Sequence, residues 1–136
     1  MKRIFSPDSP YKKRARFLAI LWTLLILVAC FTPAKEFPKV DIPLVDKWTH
    51  LILFGAFTFL WLCARPVRTV SWLVSLFLIS VAFGAAIELL QGLLTFLGRS
   101  MEFMDAVADA IGGALGIGLF CLMAYAAPGN KRKNPS

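Results

Sequence analysis

The chain has 136 residues, enough for a single domain; 58% are hydrophobic and only 17% are charged. A soluble domain carries roughly 45–50% apolar residues. Here the charge is gathered between apolar runs, which excludes an ordinary soluble globule and indicates an integral membrane protein. The net charge of +7 comes from clusters at both ends, chiefly Lys12, Lys13, Arg14 and Arg16 and then Lys131, Arg132 and Lys133. Basic clusters that flank spans act as topology signals against anionic lipid, so no nucleic-acid partner is expected.

Residues 1–16 are polar and basic, contain Pro7 and Pro10, and are expected to form a cytoplasmic segment ahead of a transmembrane domain over 17–127. Phe17 to Phe31 is the first apolar run and is closed by Thr32-Pro33. It is short against the ~20 residues that cross a bilayer, and Tyr11 with snorkelling Arg14 and Arg16 extends it. Within it, Leu27-Val28-Ala29-Cys30 resembles a bacterial lipobox, a competing reading in which Cys30 is lipidated and the preceding segment removed. The long basic stretch ahead of that run argues against a signal peptide. Cys30, Cys63 and Cys121 each lie inside an apolar run without CxxC or Cys/His spacing, which predicts buried apolar side chains and no metal site.

Residues 32–47 form a polar loop with three prolines, Pro33, Pro38 and Pro43. Trp48 to Ala64 is the second span, ended by Arg65-Pro66-Val67-Arg68. The third runs from Val70 to about Gly98, roughly 42 Å if wholly helical against a hydrocarbon core of ~30 Å. It is therefore expected to tilt, emerge or break, with Gly92 or the Gly98-Arg99 pair as its end. Met104 to Ala127 is the fourth, followed by Pro128-Gly129 and a basic tail over 128–136. Four spans predict an all-α bundle with both termini on one side. Of the 15 Lys and Arg residues, eleven fall in the two ends and the Arg65–Arg68 loop, and four (Lys35, Lys39, Lys47, Arg99) on the opposite face. The positive-inside rule then puts both termini in the cytoplasm.

A bare carboxylate, Glu88, interrupts the third apolar run. A charge near the bilayer centre costs roughly 2.5–3.5 kcal/mol on insertion scales, so such residues usually face protein or water and mark function. In the predicted topology the acids and the lone imidazole of spans two to four share one depth at the outer leaflet. Asp46 and His50 open the second span at i, i+4, Glu88 and Gln91 close the third at i, i+3, and Asp105 and Asp109 open the fourth at i, i+4. Lys47 and Arg99 border the same level. Gly84 lies one turn before Glu88, and Gly112 and Gly116 share the face of Asp105 and Asp109, which suggests close helix packing on the polar faces. The alternative for these residues is an ion-pair network that locks the helices, for example Glu88 with Arg99 or Asp46 with His50. No HExxH-type spacing marks a metal site and no phosphate-cradling loop occurs, so neither metal nor cofactor is expected. Ser71, Ser75 and Ser80 lie away from the cluster, which gives little support to a nucleophile.

In order and combination, Asp46-Lys47 with His50, Glu88-Leu89-Leu90-Gln91, Gly98-Arg99, Asp105, and then Asp109 with Gly112 resemble the VanZ-like family of small bacterial membrane proteins. The likeness covers about residues 17–125 and departs at Asp109, where the family pattern more often has Asn. The resemblance implies a bacterial cytoplasmic-membrane protein acting at the cell envelope, the family's named member being associated with low-level teicoplanin resistance. The preferred expectation is an outer-leaflet polar pocket that engages a lipid or lipid-linked head group. Arg99 and Lys47 would hold a phosphate or carboxylate, Glu88 and Asp109 would accept hydroxyl or amine donors, and His50 would carry a proton tuned by Asp46. An enzyme acting on a lipid phosphate, with the acids and His50 as acid/base catalysts or metal ligands at the lipid surface, and a purely structural assembly protein are the two alternatives.

Overall fold

The computed structural model describes residues 9–36 and 43–127; residues 1–8 of the basic N-terminal segment, residues 37–42 of the first loop and the tail over 128–136 lie outside the described residues. Among the described residues the chain is four long helices, α1 (Lys12–Phe31), α2 (Val45–Ala64), α3 (Val70–Leu93) and α4 (Phe103–Ala126), with short 3₁₀ turns at Ala34–Glu36 and Thr95–Leu97. The first two helices have 20 residues and the last two 24. At ~1.5 Å per residue they are roughly 30 and 36 Å long, which matches a bilayer core. All four are apolar enough to cross a membrane, and the all-α, multi-pass architecture follows.

Two boundaries differ from expectation and a third falls close to it. α1 starts at Lys12 rather than Phe17, because helical hydrogen bonding continues through the basic residues back to Tyr11, whose carbonyl accepts from Ala15. α2 starts at Val45, three residues ahead of Trp48, which brings Asp46 into the first turn, where the helix dipole favours an acid. The long third run ends as a helix at Leu93. Gly92, one of its two expected ends, lies one residue before that point and is also a packing position, since a Cβ there would lie 2.9 Å from the Cβ of Met101. The chain reverses at Gly98, whose φ of 63° favours glycine.

α2 and α4 form the most extensive helix pair, with α1 against α2 and α3 against α4. Glycines set the α2–α4 approach. The carbonyl of Leu51 faces Gly112 and that of Gly55 faces Gly116, each so close that a Cβ on α4 would overlap it. Thr58 donates across the same seam to the carbonyl of Gly113 at 2.9 Å. Gly55 is the partner that sequence spacing did not single out. α1 is tied to the bundle by Trp22, which donates to the Leu53 carbonyl at 2.9 Å, and by Trp61, which donates to Thr23 at 3.2 Å.

Two apolar clusters fill the interior. Ile26, Cys30, Leu53, Phe54, Phe57 and Ile87 lie between α1, α2 and α3, and Leu62, Cys63, Leu76, Phe120 and Ala124 lie toward the opposite end. The Phe83 ring packs at a tilt against Phe54 and Phe57 within the first, with centroids 5.5–5.7 Å apart. The outward faces are also apolar, with Val28, Ile52, Val70, Leu119 and Leu122 all exposed. A soluble protein places polar residues there; an apolar exterior around buried Glu88, Asp105 and Asp109 is the pattern of a bundle solvated by lipid.

Candidate functional site

The N-terminal ends of α2 and α4 meet the C-terminal ends of α1 and α3 at one end of the bundle, as the contacts of His50, Gln91 and Glu88 require. Asp46 and Asp105 occupy the first turns of α2 and α4, where the exposed N–H groups favour negative charge. One turn further in, the sequence spacing aims His50 and Asp109 inward.

His50 is the centre of the group. Its Nδ1 lies 2.9 Å from Asp109 Oδ1 on α4, its Nε2 lies 3.7 Å from Asp105 Oδ2, and Glu88 Oε1 on α3 is 4.0 Å from Nδ1. All four residues are buried, with Asp109 and Glu88 almost completely so. Gly84 makes room for this arrangement: a Cβ on α3 at that position would stand 2.5 Å from Asp109 Oδ2. The expected partnership of His50 with Asp46 does not form. The intervening turn of α2 points Asp46 to the rim, half exposed, where it pairs with Lys47.

Lys47 gathers the rim. Its ammonium contacts Asp46 and Glu102 and lies 2.7 Å from Asp105 Oδ1. Glu102 also donates its backbone N–H to Glu88 Oε2 at 2.9 Å, so the Glu88 carboxylate sits at the very start of α4. Sequence reasoning missed Glu102. The signal was present, since Glu102 borders the fourth span at the same level as Asp105, but it falls outside the i, i+4 pairs that drew attention.

Gln91 and Arg99 do something other than line up with the acids. Gln91 donates to the Cys30 carbonyl at 2.8 Å, while Arg99 donates to the carbonyls of Thr32 at 3.0 Å and Ala29 at 3.2 Å. The last carbonyls of a helix have no partner within it, and these two side chains supply partners for the end of α1. Hydrogen bonds to charged groups contribute about 1.5–3 kcal/mol, and about 1.4 kcal/mol is a factor of ten. The Gln91→Ala, Arg99→Ala double variant is therefore expected to free the end of α1 and raise the maleimide labelling rate of buried Cys30 by at least about tenfold, with Cys63 unchanged as the internal reference.

A cavity of about 520 Å³ opens between the end of α1, the start of α2 and the Gly98–Glu102 segment. His50, Gln91, Arg99, Asp46, Glu102 and Asp105 supply its polar wall, and Ala29, Val45 and Leu53 its apolar one. Glu88 and Asp109 stand behind His50. The eight residues singled out from sequence thus occupy one end of the bundle in three roles. Asp46 and Lys47 form the rim, His50, Glu88, Asp105 and Asp109 the buried core, and Gln91 and Arg99 the tie to α1.

No curated protein and no solved structure matches the chain. The family model described as VanZ/LLP1 matches residues 8–124, which takes in the first three helices, all but the last two residues of α4 and every residue of the polar group. With that match across the bundle, this multi-pass chain belongs to the VanZ/LLP1 family.

Proposed function

We propose that this VanZ-family protein sits in the bacterial cytoplasmic membrane with both termini inside, and that its polar cavity, at the outer leaflet, receives the head group of an envelope lipid or lipid-linked glycan. The observation that carries this reading is the cavity itself. Its volume of about 520 Å³ lies within the ~300–1,000 Å³ of ligand pockets, and its polar wall adjoins an apolar one on a bundle with apolar outer faces. A molecule with a polar head and an apolar tail matches both walls.

The charge pattern refines which head groups suit. Lys47 is engaged by three carboxylates and Arg99 by the end of α1. The carboxylates of Asp46, Glu102 and Asp105 around the opening favour a head group that donates through hydroxyl or ammonium groups. A phosphate held between Lys47 and Arg99 has less support, because each cation already has partners.

The test is native mass spectrometry of the full chain for a co-purified lipid. Thr49 lines the cavity without belonging to the acidic group, so Thr49→Trp is expected to fill the space and remove the lipid adduct while leaving helicity unchanged. No lipid above background on the wild type, or full retention in Thr49→Trp, would overturn the reading. Topology reporters after Ala34 and Val67 test the frame, with the first expected outside and the second in the cytoplasm. The family's association with teicoplanin resistance makes glycopeptide susceptibility the cellular phenotype to follow.

A further inference from the structure

We propose that His50, Glu88 and Asp105 bind one divalent metal ion of the zinc or manganese class. A nitrogen of His50 and one carboxylate oxygen from each of Glu88 and Asp105 lie within 4.8 Å of one another, and all three residues are buried. Metal–nitrogen and metal–oxygen bonds of about 2.0–2.2 Å place neighbouring ligands roughly 3–3.5 Å apart. Binding an ion would have to draw the three ligand atoms together by about 1–2 Å.

Two independent features point to a ligand rather than to a chance cluster of acids. The first is the second shell. Histidines that bind metals almost always donate their other ring N–H to a carboxylate or carbonyl, which fixes the tautomer. Asp109 Oδ1, 2.9 Å from His50 Nδ1, is in that position, and with the proton on Nδ1 the Nε2 lone pair faces Asp105 Oδ2 at 3.7 Å. The second is Glu88. Its Oε2 is anchored by the Glu102 N–H, but its Oε1 is buried, has no hydrogen-bond partner and lies 4.0 Å from His50 Nδ1, with one ring nitrogen, Glu88 and Asp105 within 4.8 Å of one another. A buried carboxylate oxygen without a partner is costly, and a dication beside it removes the cost.

The donor set fixes the class. One imidazole with carboxylates and no thiolate suits zinc or manganese better than copper(I) or an iron–sulfur cluster. The other acidic trio, Asp46, Glu102 and Asp105, already surrounds the Lys47 ammonium and carries no such assignment. His50 and Asp105 face the cavity, which gives the ion a route in and leaves its remaining coordination positions open to a ligand there. A dication would turn an acidic wall into one that accepts phosphate oxygens. The metal inference stands on the side-chain geometry and does not rest on the lipid reading.

The experiment uses the full chain, purified in detergent through a histidine-free tag, stripped with chelator and titrated with Zn²⁺ and separately with Mn²⁺. One equivalent of at least one of the two ions should bind. Glu88→Gln is expected to weaken binding at least tenfold, and Asp109→Asn, which keeps the shape but loses the charge behind the imidazole, about 10–100-fold. Glu36→Gln, an exposed acid that pairs with Lys35 and belongs to neither acidic trio, should leave binding unchanged. His50 is the sole histidine, so bound metal should also protect the wild type from histidine acylation by diethyl pyrocarbonate. That readout decides the question even where a variant fails to fold. Wild type that takes up neither ion, or that gains no protection, overturns the inference, as does full affinity in Glu88→Gln. Lipid adducts scored in the same preparations with and without chelator keep the two readings separate: a metal-free chain that retains its lipid sinks only this one.

Discussion

Gly116→Val is expected to unfold the bundle or prevent its assembly. A Cβ at that position meets the backbone carbonyl of Gly55 and the hydroxyl of Thr58. A flexible side chain could swing aside, but a carbonyl inside α2 cannot move without its helix. α2 and α4 must then separate, which breaks the Thr58 hydrogen bond to Gly113 and opens the largest helix pair in the molecule. Overpacking typically costs about 1–3 kcal/mol, and a backbone obstruction belongs at the top of that range or above it. The contrast lies two residues along. A Cβ on Gly118 meets nothing within 4 Å, and alanine is a better helix former than glycine by about 0.8–1.0 kcal/mol. Gly118→Ala should therefore be neutral or stabilising. Thermal unfolding of both variants in detergent measures the difference directly, and equal behaviour would mean that the α2–α4 approach is looser than described.

The same comparison explains what sequence alone can and cannot reveal in such a chain. Apolar runs bounded by Thr32-Pro33, Arg65-Pro66 and Gly98-Arg99 mark four spans because a bilayer demands length and apolarity, and both are visible one residue at a time. The i, i+4 spacing of Asp46 with His50 and of Asp105 with Asp109 reveals which faces carry charge. It does not reveal partners. His50 pairs with a residue 59 positions away rather than with Asp46, because the α2–α4 crossing at Gly112 and Gly116 sets which turns face each other. Arg99 lies in a loop whose 3₁₀ turn carries it toward α1, a direction no periodicity encodes. Glu102 stayed hidden for a related reason: its role depends on its backbone N–H as much as on its charge.

His50→Leu is expected to cost more than Asp109→Asn, by about 2 kcal/mol or more in chelator, and the asymmetry follows from who is left behind. Asparagine at 109 keeps a side-chain oxygen in front of the His50 Nδ1–H, so the 2.9 Å hydrogen bond survives in neutral form. It also removes one of the three acids around the ring. Interhelical hydrogen bonds in membrane proteins average only about 0.6 kcal/mol in double-mutant cycles, so a change from charged to neutral partner should cost about 1 kcal/mol or less. Leucine at 50 does the opposite. It removes the imidazole that lies within 4.0 Å of Glu88, Asp105 and Asp109 alike and leaves three buried carboxylates without it. Removing one partner of a buried ionic group typically costs about 3–5 kcal/mol, because the remaining charge is stranded. Lys47 can relieve Asp105, which it reaches at 2.7 Å, but its other partners hold it at the rim, away from Glu88. The His50→Leu, Glu88→Gln double variant should therefore recover part of the loss, since it removes one of the stranded charges. Additive costs in that pair would mean that Glu88 and His50 do not share an electrostatic field, and the buried group would then be separate contacts rather than one site.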